Sequence, residues 1–414
     1  MQHLPGQFEV PRMIVFGGGM GGSYTAAGLA EHIPQVVAET HADAEALLSP
    51  MLGRPPEKLV TLVQGTADDG SYTGIGREIF GTPPVGDSRK AISISARHKK
   101  AGKIFDYRFG ETDTLQSMQE KGEEWMDSLS REGSTYDLER AQDALSLGLV
   151  AASEIMARPG YQRKERHHNP LWGHNFGSLV LVGLTREGNL GQAIDEMSAA
   201  HDTSIDILPV TLRGNTLYMR DGDEIIRAEK RIDEHRIRHP EDVEVWLEHD
   251  HPLNSRVAAA AERAGAGLMA AGSIYTSGAQ VAIPAQGAIK GLNGPFGLAT
   301  NLVQTAHETR GLPAQAYPGK HEPYTGRPFD FMLYNTNLAG AAALGEGEPV
   351  PYDLARLADL DVAAYGGDLV GGGIEHNGND VIARSGVRHA ADALASMFVR
   401  QVLPDYHARE LARL

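Results

Sequence analysis

A glycine-rich stretch near the N-terminus carries the clearest chemical signal in the sequence. Gly17-Gly18-Gly19-Met20-Gly21-Gly22 follows an apolar run at residues 13–16 and precedes a segment of helical composition at residues 23–32. This spacing satisfies the G-x-G-x-x-G pattern between a strand and a helix. Such glycines let the backbone approach a ligand, and a helix start offers free N–H groups to phosphate. We predict a phosphate-binding loop formed by Gly17, Gly18, Gly19, Gly21 and Gly22; the alternative is a tight turn without a ligand.

Two adjacent carboxylates provide a second candidate for chemistry. Asp68 and Asp69 come shortly after an apolar run at residues 59–63, in the sequence ADDGSYTG. Ligands of α/β proteins bind at the carboxyl ends of strands, and carboxylates there can hold Mg²⁺, grip sugar hydroxyls or position a nucleophile. An Asx turn that only reverses the chain is the competing interpretation.

Four further segments contain cations or small polar residues suited to an anion. Arg89 follows the helix-capping pair Asp87-Ser88 and is placed to face an anion. Arg108 lies among aromatic residues, where burial beside a carboxylate is the alternative. GHNFGS at residues 173–178 and GSIYTS at residues 272–277 each place small or hydroxyl residues at a helix start or a polar turn, which suits anion or nucleotide contacts.

The elements that must position these residues alternate between strands and helices. This order predicts an α/β fold with a Rossmann-like, doubly wound, mostly parallel sheet and a helical insertion at residues 111–170. We expect the whole chain, residues 1–414, to form a single elaborated domain. Strands are predicted at residues 13–16, 36–38, 59–63, 205–210, 216–219, 268–271 and 329–334, with a short β pair within 222–237. Helices are predicted at residues 43–52, 88–96, 112–131, 136–157, 175–184, 194–201 and 389–402.

Composition excludes several classes of protein. The formal net charge of −16 argues against nucleic acid as a partner, because backbone binding needs a basic face. The absence of cysteine removes disulfides, thiolate metal sites and thiol nucleophiles. No apolar run is long enough for a membrane span, and the N-terminus shows no secretory signal, so we expect a cytoplasmic protein without membrane association.

Taken together, the motifs resemble the CofD/YvcK family, which joins 2-phospho-L-lactate transferases to gluconeogenesis factors that bind UDP-sugars. The resemblance runs nearly end to end. PPVGDSRKAI and VRHAADALA are closer to the gluconeogenesis-factor branch, whereas Ser71-Tyr72-Thr73, Ser178 and the long segment at residues 110–171 depart from its pattern. The motifs that carry the resemblance are IVFGGGMGG, ADDGSYTG, PPVGDSRKAI, FDYRF, GHNFGSLVLVGLT, ILPVT, AAGSIYTS, IPAQGAI, NLVQTAHET and VRHAADALASMF.

The resemblance implies roles for particular residues. The glycine loop and the later turn become nucleotide contacts, the aspartates become catalytic residues or ligands of Mg²⁺, and Arg388 matches a C-terminal Arg-His. The ligand-binding set is Gly17, Gly18, Gly19, Gly21, Gly22, Arg89, Arg108, Asn175, Gly177, Gly272, Ser273, Tyr275, Thr276 and Arg388, and the catalytic and metal set is Asp68 and Asp69.

Two functions follow as expectations. The first is a protein that binds a nucleotide diphosphate or nucleotide sugar of the UDP-sugar type. The alternative is a Mg²⁺-dependent transferase that moves a phospholactyl-type group from a guanosine diphosphate-linked donor to an acceptor hydroxyl and releases GMP. A homodimer is a further expectation. An NAD-dependent dehydrogenase is a distant third, since it rests only on the glycine loop and on Glu39 as the ribose ligand.

Overall fold

A computed structural model of the chain describes residues 11–40, 58–158, 169–305, 307–345, 347–372 and 388–413. Its contacts divide the chain into two compact units. The first unit contains residues 1–63, 255–374 and 386–414, and the second contains residues 64–254 and 375–385. The predicted helix at residues 43–52 lies outside the described residues, as do residues 159–168 of the predicted insertion. The single-domain organisation stays a prediction.

A parallel sheet forms the centre of the first unit. Its strands are hydrogen bonded in the order β10-β9-β8-β7-β1-β2, and each of these neighbouring pairs is parallel. Every residue of β1, β7, β8 and β9 is buried, which explains why these strands are continuous apolar runs. The strands are β1 (Met13–Phe16), β2 (Val60–Gln64), β7 (Ala266–Met269), β8 (Phe296–Ala299), β9 (Phe331–Asn335) and β10 (Ala363–Gly367).

The order of the strands reverses between β1 and β7. From β1 the chain proceeds to β2 on one side, whereas β7, β8, β9 and β10 follow one another on the other side. Loops from the two strands that flank such a point leave the sheet in opposite directions and open a crevice at its carboxyl edge. The glycine loop follows β1, and the turn at residues 272–276 follows β7. The topology therefore places both motifs at the same crevice.

Helices connect the strands of the first unit. The first of them overturns one prediction: residues 36–38 lie within a helix rather than a strand. Ile33, Val36 and Val37 are all buried at helical spacing, so the 3.6-residue period outweighs the local β-branched composition. The helices are α1 (Gly19–Thr40), α10 (Ser255–Arg263), α11 (Ala279–Lys290), α12 (Tyr317–Thr325), α13 (Leu338–Ala343), α14 (Leu354–Ala358), α15 (Ala391–Met397) and α16 (Leu403–Arg413); shorter helical turns span Ile274–Gly278, Ala314–Ala316 and Phe398–Val402.

The second unit is mainly helical and carries a small antiparallel sheet in the order β5-β4-β6. Within residues 222–237 only Glu224–Arg227 form a strand, and a helix at Glu229–Glu234 follows it in place of the predicted second strand. The strands are β3 (Asp206–Pro209), β4 (Leu217–Asp221), β5 (Glu224–Arg227) and β6 (Val243–Leu247). The helices are α2 (Ser71–Phe80), α3 (Gly86–Ser95), α4 (Lys99–Phe105), α5 (Leu115–Arg131), α6 (Leu138–Met156), α7 (Phe176–Glu187), α8 (Leu190–Ala200) and α9 (Glu229–Glu234).

An aromatic cluster organises the core of the second unit. The indole N–H of Trp125 donates to Nε2 of His201 at 3.0 Å, and Nδ1 of that imidazole contacts the carbonyl oxygen of Met197 at 2.8 Å. The rings of Phe105 and Phe176 pack around this pair. Burial lowers the pKa of His201 to about 4, so the imidazole is neutral at physiological pH.

The predicted α/β, doubly wound fold is confirmed. Along the described ranges, no helix combines the length and the apolar character needed to cross a membrane. The cytoplasmic location and the homodimer stay predictions.

Candidate functional site

The glycine-rich loop joins the end of β1 to the start of α1. Gly19 begins the helix with φ of +64°, a left-handed backbone conformation that residues with a Cβ atom rarely adopt. Gly21 lies so close to the carbonyl oxygen of Ala271 that a Cβ atom there would collide with it. The loop therefore packs its backbone directly against the segment that follows β7, and this packing requires glycine.

The turn at residues 272–276 lies beside this loop. Ser273 caps the helical turn Ile274–Gly278, since its Oγ accepts a hydrogen bond from the N–H of Thr276 at 3.0 Å. The N–H of Gly272 donates to Oδ1 of Asn301 at 2.8 Å. The Tyr275 side chain is only 4% exposed and packs against another tyrosine, so this residue offers its backbone rather than its phenol to the turn.

Glu308, which was not among the residues predicted from the sequence, completes the hydrogen bonding of the turn. Oε1 of Glu308 accepts hydrogen bonds from the Ser273 hydroxyl at 2.9 Å and from the N–H of Tyr275 at 2.6 Å. Glu308 and Asn301 both belong to the NLVQTAHET motif, which follows β8. Their position after the carboxyl end of a strand was the available signal, because ligand sites of α/β proteins gather there.

Arg388 supplies a positive charge beside the first turns of α1. Its guanidinium lies 5.5 Å from the ring centroid of Tyr24, and its Nη2 lies 3.4 Å from Sδ of Met20. Burial raises the pKa of Tyr24, and the positive charge of Arg388 opposes that rise. A guanidinium and a helix N-terminus both stabilise a bound anion. The first unit thus brings together the glycine loop, the turn at residues 272–276 and Arg388.

Glu39, the ribose ligand of the dehydrogenase interpretation, lies away from any strand end. It occupies the last turn of α1, and its Oε2 pairs with Nη2 of Arg400 at 2.9 Å. Its side chain is 68% exposed. The dinucleotide pattern places this acid at the end of the second strand, so the dehydrogenase interpretation loses its ribose ligand.

In the second unit, the carboxylates of Asp68 and Asp69 are held by different backbone segments. Oδ1 of Asp68 accepts the N–H of Gly70 at 2.8 Å, which is the Asx turn of the competing interpretation. Oδ1 of Asp69 accepts the N–H of Lys230 at 2.9 Å, in the first turn of α9. Each carboxylate therefore has one oxygen engaged by the backbone.

Asp68 also lines a small cavity of about 50 Å³. Three arginines, Arg77, Arg89 and Arg108, line the same cavity, and so does Asn175. Arg89 and Arg108 are only 5% and 8% exposed. A cavity of this size holds a few water molecules or a small polar group. The structure therefore brings four of the sequence-predicted residues, Asp68, Arg89, Arg108 and Asn175, to one cavity.

Hydrogen bonds and an ion pair hold the cations of this cavity in place. Nη1 of Arg89 forms an ion pair with Asp106. Nη1 of Arg108 donates to the carbonyl oxygen of Gly173 at 2.7 Å. The side-chain amide of Asn175 donates to the backbone oxygen of Asp106 at 3.0 Å. Buried charges need such partners, and these contacts supply them.

Two predicted residues of this unit lie elsewhere. Gly177 packs its backbone against the carbonyl group and ring of Phe105, where a Cβ atom would collide, so it serves helix packing. Asp69 lines a separate, open hollow together with Glu78 and Arg227.

Comparison with known proteins identifies the family. The model of the family described as 2-phospho-L-lactate transferase CofD matches residues 13–370. The chain belongs to the CofD family. The matched range contains the glycine loop, the two aspartates and the turn at residues 272–276, and it ends before Arg388. The resemblance inferred from the motifs is thereby confirmed.

Solved structures agree with this CofD-family assignment at the level of the fold. Two crystal structures of protein BH3568 from Bacillus halodurans, one of them described as a member of the UPF0052 family, are similar to this chain at 20% and 21% identity. Each comparison covers 94% of this chain and 99% of the other, with a TM-score of 0.64. No curated protein matches the chain.

The donor set for a metal in this CofD-family protein is small. Among the described residues, no group of three or more His, Asp or Glu side chains is arranged to hold a metal ion. Mg²⁺ is commonly held by one or two carboxylates together with phosphates of the substrate and water. Binding of Mg²⁺ by Asp68 or Asp69 therefore depends on a phosphorylated ligand and stays a prediction.

Glu229 is a further carboxylate that the sequence reasoning missed. Its Oε2 faces the backbone at Gly70, beside the aspartate pair. Burial, followed by the negative charge of Asp68, raises the pKa of Glu229 well above its ordinary value. No motif marks this residue in the sequence, since it reaches the aspartates only through the fold.

Proposed function

We propose that this CofD-family protein binds a nucleoside diphosphate or a nucleotide sugar of the UDP-sugar type in its first unit. One observation carries the proposal: the glycine loop, the turn at residues 272–276 and Arg388 meet at the carboxyl edge of the sheet, beside the reversal of strand order. Ligands of open α/β sheets bind at this place in the topology.

The chemistry of the loop favours phosphate groups. The start of α1 offers backbone N–H groups and the positive end of the helix dipole, and Arg388 adds a full positive charge. Glycine at position 19 leaves the backbone uncovered, so phosphate oxygens can approach the amides. These groups contact the ligand directly. Salt screens the repulsion between the ligand and the more distant charges that make up the net charge of −16.

Calorimetry and thermal melting test this function. UDP, GDP and UDP-glucose are titrated with and without Mg²⁺, and at least one should bind saturably and raise Tm, because a ligand that binds only the folded state stabilises it. Arg388→Gln should weaken binding about tenfold or more, since a charge-assisted contact is lost. Arg400→Gln is the matched control, because Arg400 pairs with exposed Glu39. Binding by none of the three ligands, or equal loss in both variants, contradicts the proposal.

A transferase is the second candidate, favoured by the cavity of the second unit. This cavity joins Asp68 to buried arginines, which suits a polar or anionic second substrate. In the reaction, a hydroxyl oxygen of the acceptor attacks the phosphorus distal to the nucleoside of a donor in which a diphosphate joins guanosine to lactate. The bond from that phosphorus to the bridging oxygen breaks, GMP leaves, and the hydroxyl proton passes to a base or to water. Asp68 and Asp69 are assigned to the acceptor or to Mg²⁺.

Release of GMP tests the transferase. The protein is incubated with the donor in which a diphosphate joins guanosine to lactate, with Mg²⁺ and an acceptor alcohol, and GMP is measured by chromatography. Asp68→Asn and Asp69→Asn should abolish release while nucleotide binding persists. Asp127→Asn, on the exposed side of α5, is the matched control. Turnover retained in both aspartate variants contradicts the assigned roles, and absent turnover in the wild type leaves the binding function alone.

A further inference from the structure

The side chain of Thr82 lies in the wall of the small cavity of the second unit without a hydrogen-bond partner. It is 7% exposed, and its Oγ1 meets no donor or acceptor among the described residues. The sequence explains its position: Gly81 ends α2 with φ of +66°, and two prolines, which have no N–H to donate, follow the threonine. A buried hydroxyl without a partner costs free energy, so it marks a place where a ligand or a water molecule supplies the missing bond.

Arg77 brings a positive charge to the same wall without a direct ion pair. Its Nη1 donates to the carbonyl oxygens of Ala67 at 3.3 Å and Asp68 at 3.1 Å, and its Nη2 donates to that of Asn215 at 2.6 Å. None of the ion pairs among the described residues includes this guanidinium, and the carboxylates of Asp69 and Asp68 act on it from a distance. Burial lowers the pKa of Arg77 because its charge is poorly solvated. An anionic group in the cavity neutralises such a charge.

The charges of the cavity wall favour a group with a single negative charge. With histidine counted as neutral, the described side chains of the wall carry three positive and two negative charges. Arg89 also contacts Asp106, but Lys90 contacts the same carboxylate at 2.8 Å, so these two neighbours add no net charge. A carboxylate therefore balances the wall, whereas a phosphate monoester, with about −1.5 to −2 charges at pH 7, exceeds it. The charged residues of the wall are Arg77, Arg89, Arg108, Asp68 and Asp87.

The size and the donors of the cavity narrow the ligand further. A volume of about 50 Å³ admits the end of a small molecule and excludes a nucleotide, because pockets for whole ligands measure about 300 Å³ or more. A carboxylate accepts hydrogen bonds from a hydroxyl and suits the charge of a guanidinium. An amide or an alcohol of the same size leaves the positive charge of Arg77 unbalanced.

We propose that this cavity binds the carboxylate of a small organic acid, with the Thr82 hydroxyl donating a hydrogen bond to it and Arg77 supplying the opposite charge. The inference deepens the transferase candidate and rests on it in one respect, namely that the ligand of this cavity is the acceptor. The acceptor hydroxyl then belongs to a molecule that also carries a carboxylate, which makes the acceptor a hydroxy acid. Binding of the carboxylate itself requires no turnover.

Ligand-observed NMR and thermal melting test the site. Acetate, propionate, acetamide and methyl phosphate are titrated near neutral pH and at constant ionic strength. The two carboxylates should bind saturably and raise Tm, because a ligand that binds only the folded state stabilises it. Acetamide should not bind, and methyl phosphate should bind about tenfold more weakly than acetate or not at all.

Two valine substitutions separate the ligand contact from packing. Thr82→Val keeps the shape of the side chain and removes no bond between described residues, so Tm without ligand should not fall, while the affinity for acetate should fall about tenfold. Thr185→Val is the matched control. Thr185 is also 7% exposed, its Oγ1 also has no partner among the described residues, and it lies on α7 outside the cavity wall. Its replacement should leave the affinity for acetate within about twofold of the wild type.

The outcomes separate this inference from the transferase candidate. Loss of affinity in Thr82→Val alone supports the site. The site is overturned if no carboxylate binds saturably, if methyl phosphate binds as tightly as acetate, or if the two valine variants have equal affinities. Carboxylate binding without release of GMP leaves the site standing and contradicts the transferase, and release of GMP without carboxylate binding does the reverse. Where both are found, equal rates of GMP release with a hydroxy acid and with the matching simple alcohol contradict the assignment of this ligand as the acceptor.

Discussion

Asp68 and Asp69 are neighbours in the chain, yet their carboxylates serve different segments: Asp68 accepts the N–H of Gly70, and Asp69 accepts the N–H of Lys230. Asp68 also lines the arginine-rich cavity, whereas Asp69 lines a separate hollow. Because they are adjacent in the sequence, the two residues are predicted to act as one acidic pair. Asp68 lies at the cavity lined by buried Arg89 and Arg108, and Asp69 accepts a hydrogen bond from α9. Arg77 lines both hollows, and the negative charges of Asp69 and Asp68 both act on it.

The capping contact predicts a difference between two substitutions of Asp69. Asp69→Ala removes the acceptor of the Lys230 N–H, so the free energy of unfolding should fall by about 1 kcal/mol. Asp69→Asn keeps an acceptor oxygen and should lose less than about 0.5 kcal/mol. Urea denaturation measures both. An equal loss in the two variants would show that the charge, rather than the hydrogen bond, stabilises this region.

The fold was predictable where a local pattern and the tertiary environment agree. Residues 13–16 form a continuous apolar run because β1 is buried along its whole length between two parallel neighbours. Val36 and Val37 show the opposite case, since β-branched composition suggested a strand while the helical spacing of the buried side chains decided the structure. The strand order, which creates the crevice beside β1, depends on long-range pairing that no local pattern records.

The candidate site was predictable only in part, for a related reason. The glycine loop carries its own signal, because its spacing and its place after a strand are both visible in the sequence. Glu229 carries no such signal, and Glu308 has only its place after the end of β8. Glu308 reaches the turn of the first unit, and Glu229 reaches the aspartates of the second unit, from distant parts of the chain. The residues that could be predicted contribute their backbone to a local motif. The residues that were not predicted contribute side chains, which only the tertiary fold brings into place.

The close approach of the glycine loop to Ala271 predicts a large effect of Gly21→Ala. The added methyl group would collide with a backbone carbonyl oxygen, which cannot move as a flexible side chain can. We expect a loss of about 2 kcal/mol or more in the free energy of unfolding and loss of nucleotide binding. Gly287→Ala in α11 is the matched control, since nothing lies within 4 Å of its new Cβ atom.

The control should behave in the opposite way. Alanine in an open helical position stabilises by about 0.5–1 kcal/mol relative to glycine. Thermal melting of both variants, with and without the best-binding nucleotide, measures the comparison. If Gly21→Ala melts and binds like the wild type, the loop does not pack as the structure has it.

The ion pair between Arg89 and Asp106, in which the guanidinium is buried, predicts a larger cost than an exposed pair. In Arg89→Gln the partly exposed carboxylate of Asp106 keeps its ion pair with Nζ of Lys90 at 2.8 Å, and the free energy of unfolding should fall by about 1–2 kcal/mol. Arg131→Gln breaks the i,i+4 pair with Asp127 on an exposed face of α5, and it should cost less than about 0.5 kcal/mol. Denaturation at low and high salt distinguishes the two. Equal costs would mean that solvent reaches Arg89.

Buried histidines predict a loss of stability in mild acid. Burial lowers the pKa of His321 to about 4, and its Nδ1 has no hydrogen-bond partner among the described residues. The unfolded side chain has a pKa of about 6.5. Between these two values the unfolded state holds a proton that the folded state does not. The free energy of unfolding therefore falls as the pH is lowered from about 6.5 toward about 4.

Replacing His321 removes one such contribution. The pKa of His321 differs by about 2.5 between the unfolded and the folded state, so its full protonation lowers the free energy of unfolding by about 3 kcal/mol. About 2 kcal/mol of this is lost between pH 7 and pH 5. His321→Leu should reduce the pH dependence of the free energy of unfolding by that amount. The exposed His407→Leu is the matched control. His201 and His389, whose pKa values burial also lowers to about 4, keep part of the dependence in the variant. An unchanged pH profile in His321→Leu would mean that this imidazole is already accessible to protons in the folded protein.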